Sequence, residues 1–196
     1  MKKNKLILIL FIMLAFLSNI QAAIINGGQT DKTSTGGYYP YDDEEAIWGL
    51  AFNAASDFTL ISVKVYNQAS DYSGVRTFAV KDASGNIVAT KDVTVADGEQ
   101  RISLDFSIPT GNGYLLLAMD HHKGLWRDSQ GASLSFPYDI GGVVSITGDT
   151  RYDGGASVNT ANYHFFYDWE INTAAPLRSS FNYSYTGRDV SLQIQV

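Results

Sequence analysis

Between Tyr163 and Ile171 the chain alternates with a period of two. Tyr163, Phe165, Tyr167, Trp169 and Ile171 fall on one side, and His164, Phe166, Asp168 and Glu170 fall on the other. Successive side chains of a β-strand point to opposite faces, so the stretch predicts a strand with an aromatic face and a mostly polar one. Such a strand spans one layer of a sandwich, its aromatic side in the core and its polar side toward water or a ligand.

The same rhythm recurs upstream. Arg101–Ile108 is the cleanest case, with Ile102, Leu104, Phe106 and Ile108 alternating with Arg101, Ser103, Asp105 and Ser107. Strands are also predicted over 46–53, over 59–66 (Ile61, Val63 and Val65 inward, Ser62 and Lys64 outward), and over 74–81, 87–95, 114–119 and 143–147. Asp82-Ala83-Ser84-Gly85-Asn86 reads as a hairpin turn, with Gly85 supplying a positive φ. Residues 120–142 and 148–162 read as long irregular loops. Nothing after residue 22 shows helical periodicity. Short strands between turns at intervals of roughly 8–12 residues predict an all-β, antiparallel sandwich, jelly-roll-like or immunoglobulin-like, of about nine to eleven strands.

The ends are different in kind. Lys2, Lys3 and Lys5 precede an unbroken apolar run from Leu6 to Leu17 and then Ser18-Asn19-Ile20-Gln21-Ala22-Ala23. A basic start, a short apolar core and small residues predict a secretory signal peptide over 1–22, an uncleaved anchor being the competing reading. The run is shorter than the roughly 20 residues a spanning helix needs, so no membrane insertion is expected after cleavage. The expected location is the extracellular space, the cell surface or the periplasm. Removing the leader leaves 11 basic against 20 acidic groups, a net charge of −9 in place of −6. That balance argues against nucleic acid or an anionic membrane as partner. Cysteine is absent, which excludes a disulfide framework and Cys-ligated metals. Residues 23–45 are polar and Gly-rich, and predict a loose N-terminal arm. The sandwich domain is expected over 46–172, and a linker over 173–180. A hairpin turning at Thr186-Gly187-Arg188-Asp189 is predicted over 181–196; it is too small to fold alone and is expected to dock on the sandwich.

Several blocks then arrive together: Ser62-Val63-Lys64-Val65-Tyr66; Gly98-Glu99-Gln100-Arg101-Ile102 with Leu104-Asp105-Phe106; Gly124-Leu125-Trp126-Arg127-Asp128; Phe136-Pro137-Tyr138; Val143-Val144-Ser145-Ile146-Thr147-Gly148; and Phe166-Tyr167-Asp168-Trp169-Glu170-Ile171. In this order, over roughly residues 47–171, the chain resembles a secreted β-sandwich accessory module of Gram-negative bacteria. That module sits beside protease, glycosidase or adhesin domains. The loop Asp120-His121-His122-Lys123, Phe136 in place of a tyrosine, and the tail after Ile171 depart from it. The family has no established activity. The resemblance therefore implies fold, export and a non-catalytic accessory role, and carries over no catalytic residue.

Candidate sites follow from residue chemistry. Sugars present apolar C–H faces ringed by hydroxyls, so a sugar site needs an aromatic platform beside planar hydrogen-bonding groups. Trp126 or Tyr138 can supply the platform, and Arg127 and Asp128 the polar groups. The bland alternative has Trp126 and Tyr138 closing the end of the core and Arg127–Asp128 as a structural ion pair. A structural calcium is the candidate cofactor, since hard cations take several oxygens from acidic loops. The carboxylates for it are Asp42, Asp43, Glu44 and Glu45, with Asp149 and Asp153 in a second loop. His121-His122 and His164 are expected at exposed positions, with no metal or acid–base role. Asp168 and Glu170 share a strand face at the spacing of a glycosidase carboxylate pair. No HExxH, GxSxG or phosphate-binding glycine loop appears, however, and an enzyme is not expected. The expected function is a secreted or cell-surface module that binds a polysaccharide or surface glycan without catalysis. The alternatives are an adhesive protein assembling with other cell-surface proteins, and a small glycoside hydrolase.

Overall fold

The alternation that predicts strands is the one that buries them. Ile102, Leu104, Phe106 and Ile108 are all buried while the residues between them are exposed. A computed structural model describes residues 23–41, 47–129, 131 and 133–173, and the backbone of 181–186 and 189–194. The first strands are β1 (Ile24–Gly27), β2 (Gly36–Tyr38), β3 (Ile47–Ala54), β4 (Phe58–Asn67) and β5 (Gly74–Lys81). Then come β6 (Ile87–Val95), β7 (Gly98–Ile108), β8 (Gly111–Ala118), β9 (Trp126–Asp128) and β10 (Tyr138–Ile140). The sandwich closes with β11 (Val144–Tyr152), β12 (Ala156–Asn159), β13 (Tyr163–His164) and β14 (Tyr167–Asn172). Fourteen strands thus replace the nine to eleven expected. The excess comes from the three- and four-residue strands β1, β2, β9, β10 and β12, too short to show a period.

All pairings are antiparallel. One sheet runs β1-β14-β4-β7, and the facing sheet runs β10-β11-β3-β8-β5-β6 with β12 beside β11. Their inner faces meet where Trp169 packs edge-on against Phe52 (5.3 Å between ring centroids) and Phe166 against Phe78 (5.7 Å). Both open sides of the sandwich are closed. On one, the Lys91 ammonium of β6 lies 3.1 Å from the Asp105 carboxylate of β7. On the other, Gly27 of β1 lies so close to Ile140 of β10 that an added Cβ would come within 3.0 Å.

Three expectations change. Within residues 23–45, expected as a loose arm, 24–27 and 36–38 are paired: β1 lies along β14, and β2 along β9. Leu60, not Ile61, fills the core, because a bulge between Leu60 and Ser62 shifts the phase of β4 against β7. A bulge puts two residues opposite one, and the alternation restarts on the other parity. The stretch from Tyr163 to Ile171 is two strands. Phe165 adopts φ 67°, and the Phe166 N–H donates to the His164 carbonyl (2.8 Å), which turns the chain between β13 and β14. The polar face expected there is only half real, since His164 and Phe166 are as buried as the aromatics beside them.

The hairpin β15 (Phe181–Thr186) and β16 (Asp189–Ile194) pairs in the expected register, Thr186 opposite Asp189. Its side chains, the linker and the leader lie outside the described residues. Among the described residues no helix is long and apolar enough to cross a membrane.

Candidate ligand site around Trp126

β9 is the middle of a small three-stranded sheet, β13-β9-β2. Its three residues alternate, so Trp126 and Asp128 share one face and Arg127 takes the other. Gly36 lets β2 come this close, because a Cβ there would sit 2.2 Å from the Arg127 carbonyl oxygen. Asp128 is fully buried. Its carboxylate accepts from the Trp126 indole N–H (2.9 Å), the Thr33 N–H (3.0 Å), the Thr33 hydroxyl (3.0 Å) and the Gln29 amide. A buried carboxylate is tolerated when donors surround it, and here they come from the segment 29–33. Asp128 is therefore the knot that ties the N-terminal segment to β9, and with no exposed surface it has no face to offer a ligand.

Gln29 extends the network. Its side-chain oxygen accepts from the Tyr138 hydroxyl (3.0 Å), which in turn accepts from the Ser135 N–H (3.2 Å). Tyr138 packs edge-on against Phe136 (5.1 Å) and Tyr163 (5.3 Å). The fold thus brings Trp126, Asp128 and Tyr138 into one chain of hydrogen bonds through Gln29, with Trp126 and Tyr138 both half-buried. Arg127 is not part of it. Its guanidinium lies over the ring of Tyr39 (5.1 Å), on the opposite face, and no ion pair joins it to Asp128.

Above Trp126 lies a feature absent from the sequence reading. The Lys32 ammonium sits 4.1 Å from the Trp126 ring centroid and 5.2 Å from those of Tyr38 and Tyr66. Tyr38 meets Trp126 at a right angle, 5.0 Å between centroids. The Tyr66 hydroxyl donates to Asp31 (2.9 Å), and Asp31 also accepts from Lys64 (2.6 Å). That hydrogen bond from Lys64 holds the Asp31 carboxyl below its ordinary range. Burial, reinforced by the Asp31 carboxylate, pushes the Tyr66 phenol up to about 12, so it stays a neutral donor. Lys32 and Tyr38 sit in an aperiodic, Gly-rich stretch, where no pattern marks them.

The acidic candidates separate. Asp149 lies inside β11, fully buried, with the Nδ1 of an equally buried His164 at 3.4 Å from its carboxylate. Asp153 lies beyond the strand and pairs with Arg151 (3.2 Å). Asp42, Asp43, Glu44 and Glu45 lie outside the described residues. Among the described residues no three metal-ligating side chains converge. His164 and His122 are buried, contrary to expectation, because Tyr39, from the N-terminal segment, covers both (5.2 Å to His122, 6.3 Å to His164). Burial drives the His164 imidazole below its ordinary pKa despite Asp149, so it is neutral. Asp168 and Glu170 both face Arg101: Asp168 as a direct ion pair, Glu170 at 3.9 Å. Ser62 donates to Glu170 (2.5 Å). The pair is thus tied to a cation on a sheet face.

Trp126 and Tyr138 are each partly buried and held by hydrogen bonds, with Tyr38 and Lys32 beside Trp126. No family model, curated protein or solved structure matches the chain.

Proposed function

We propose that the protein is an exported, non-catalytic binding module that takes carbohydrate on the surface around Trp126 and Tyr138. One observation carries the reading. Trp126 and Tyr138 are partly buried aromatics on a single hydrogen-bonded frame, joined through Asp128 and Gln29. Aromatic side chains that are already held in place bind sugar faces with a smaller ordering cost. Asp128 organises this surface from beneath, and Tyr138 and Gln29 supply polar groups at its rim. The resemblance to an accessory module agrees with this role. Pull-down on insoluble polysaccharides and a glycan panel, with and without EDTA, tests it. Binding that Trp126→Ala abolishes and Tyr138→Ala weakens is the expected result, and EDTA sensitivity adds a calcium. No binding to any glycan overturns the reading.

A second reading has one observation in its favour. All four residues of β12 are exposed, Val158 among them, and among the described residues the strand pairs only with β11. A bare edge is a template for strand addition, so adhesive assembly remains the competing function. Concentration-dependent oligomers that Val158→Lys dissolves are its signature.

A further inference from the structure

Aromatic rings attract cations through the negative charge of their faces, and three rings around one ammonium form a receptor. Trp126, Tyr66 and Tyr38 stand in that relation to the Lys32 ammonium, at 4.1, 5.2 and 5.2 Å. Two of the three rings are polarised for the task. Trp126 donates its indole N–H to Asp128, and Tyr66 donates its hydroxyl to Asp31. A ring that donates to a carboxylate gains electron density on its face, which strengthens its hold on a cation. The charged groups nearby are Asp128 and Asp31 with Lys64, and Glu99, 3.7 Å from Lys64. Among the described residues the Lys32 ammonium makes no ion pair, and its one polar contact is the Tyr38 hydroxyl at 3.5 Å. Its ammonium is held by rings; the carboxylate behind Trp126, Asp128, is buried, and the one bonded to Tyr66, Asp31, is exposed.

We propose that this cage is a receptor for the ammonium group of a deacetylated amino sugar, with Lys32 standing in for that group until ligand displaces it. The proposal rests on the carbohydrate reading and narrows it to a cationic class. Three observations converge. The cage holds a primary ammonium already. It shares Trp126 with the hydrogen-bonded chain that runs through Asp128 and Gln29 to Tyr138. The chain as a whole carries a net charge of −6, which draws cations toward it. Lys32 then acts as a tethered competitor. A short tether gives it an effective concentration on the order of millimolar, so its removal tightens binding of a ligand ammonium without any new contact.

The test uses glucosamine oligomers and their N-acetylated counterparts, which share a backbone and differ in charge. Calorimetric titration of the wild type and of Lys32→Ala should show affinity for the free-amine oligomer rising at least tenfold in the variant. Affinity for the acetylated oligomer should change less than twofold. Tyr38→Leu, which opens one wall of the cage and leaves Lys32 in place, should weaken the free-amine oligomer selectively. It also decides the matter should Lys32→Ala not fold. Equal binding of both oligomers, unmoved by Lys32→Ala and Tyr38→Leu, overturns the cage and leaves the carbohydrate reading standing. Binding of neither oligomer, alongside an empty glycan panel, overturns both.

Discussion

Replacing Asp128 by alanine removes one buried carboxylate and strands the groups that point at it. Four side-chain or backbone donors converge on it, from Gln29, Thr33 and Trp126. The Thr33 N–H and the Trp126 indole N–H are the two least able to find water without the segment moving. At about 2 kcal/mol for each charged hydrogen bond left unmade, the loss is roughly 4 kcal/mol. For a domain of this size that is a fall in Tm of about 10 °C. The loss should be local in its structural effect. Amide exchange in residues 28–38 should rise sharply, while β7 and β8 keep their protection, because the knot ties only the N-terminal segment and β2 to β9. Asp128→Asn should recover about half of the stability. Its oxygen still accepts from Trp126 and Thr33, but its amide meets the Gln29 amide donor to donor. Urea denaturation followed by hydrogen exchange measures both effects. A loss below about 1 kcal/mol for Asp128→Ala, or unchanged exchange over 28–38, would refute the reasoning, because the carboxylate would then be replaceable by water.

Two further perturbations bear on the same region. Gly36→Ala drives a methyl into the Arg127 carbonyl, which an added Cβ would approach to 2.2 Å. It should cost about 1–3 kcal/mol and lift β2 from β9, read as lost amide protection at Gly37 and Tyr38 with the sandwich intact. The neutral, buried His164 makes stability depend on pH. Its folded pKa lies below the ordinary value of about 6.5, so the unfolded chain binds the extra proton first, and stability falls as pH drops below that value. One such group gives a slope of at most about 1.4 kcal/mol per pH unit. Denaturation at about pH 7.5 and about pH 5.5 should show the loss, and His164→Phe should flatten it. A wild-type profile that is already flat would show that His164 is not held neutral. Asp31, depressed by Lys64, acts only below its ordinary value near 4 and does not contaminate this window.

The long strands were legible because one face of each is buried and the other wet. Ile102, Leu104, Phe106 and Ile108 show this without interruption, and the 74–81 and 87–95 strands have the bounds that the pattern predicts. The turn at Asp82–Asn86 follows from Gly85, whose φ of 84° suits only glycine well. Phe165 escaped for a physical reason. Four aromatics and a histidine in succession are apolar enough to be buried on either face, so alternation persists on paper through a point where the backbone reverses. Trp126, Asp128 and Tyr138 stood out by residue type, yet their partners Gln29, Thr33, Tyr38 and Lys32 lie roughly 90 to 110 residues away in an aperiodic stretch. A pairing of two three-residue strands leaves no period to read. Asp149 and His164 were visible only as a loop acid and a face histidine, because nothing local tells that β11 and β13 carry them into one dry interior.

The pairing of β1 with β14 also governs when the fold can exist at all. Thr173 donates its hydroxyl to the carbonyl oxygen of Ala23, 150 residues away, and β4 finds one of its two neighbours only in β14. The β1-β14-β4-β7 sheet is therefore incomplete until the last strand of the sandwich has been synthesised. Contacts this distant in the chain make folding slow and cooperative. A nascent chain stopped before Tyr167 lacks β14, the strand that joins β1 to β4, although every strand of the facing sheet has by then been made. Closure of the β1-β14-β4-β7 sheet is therefore the step that waits for the far end of the sandwich.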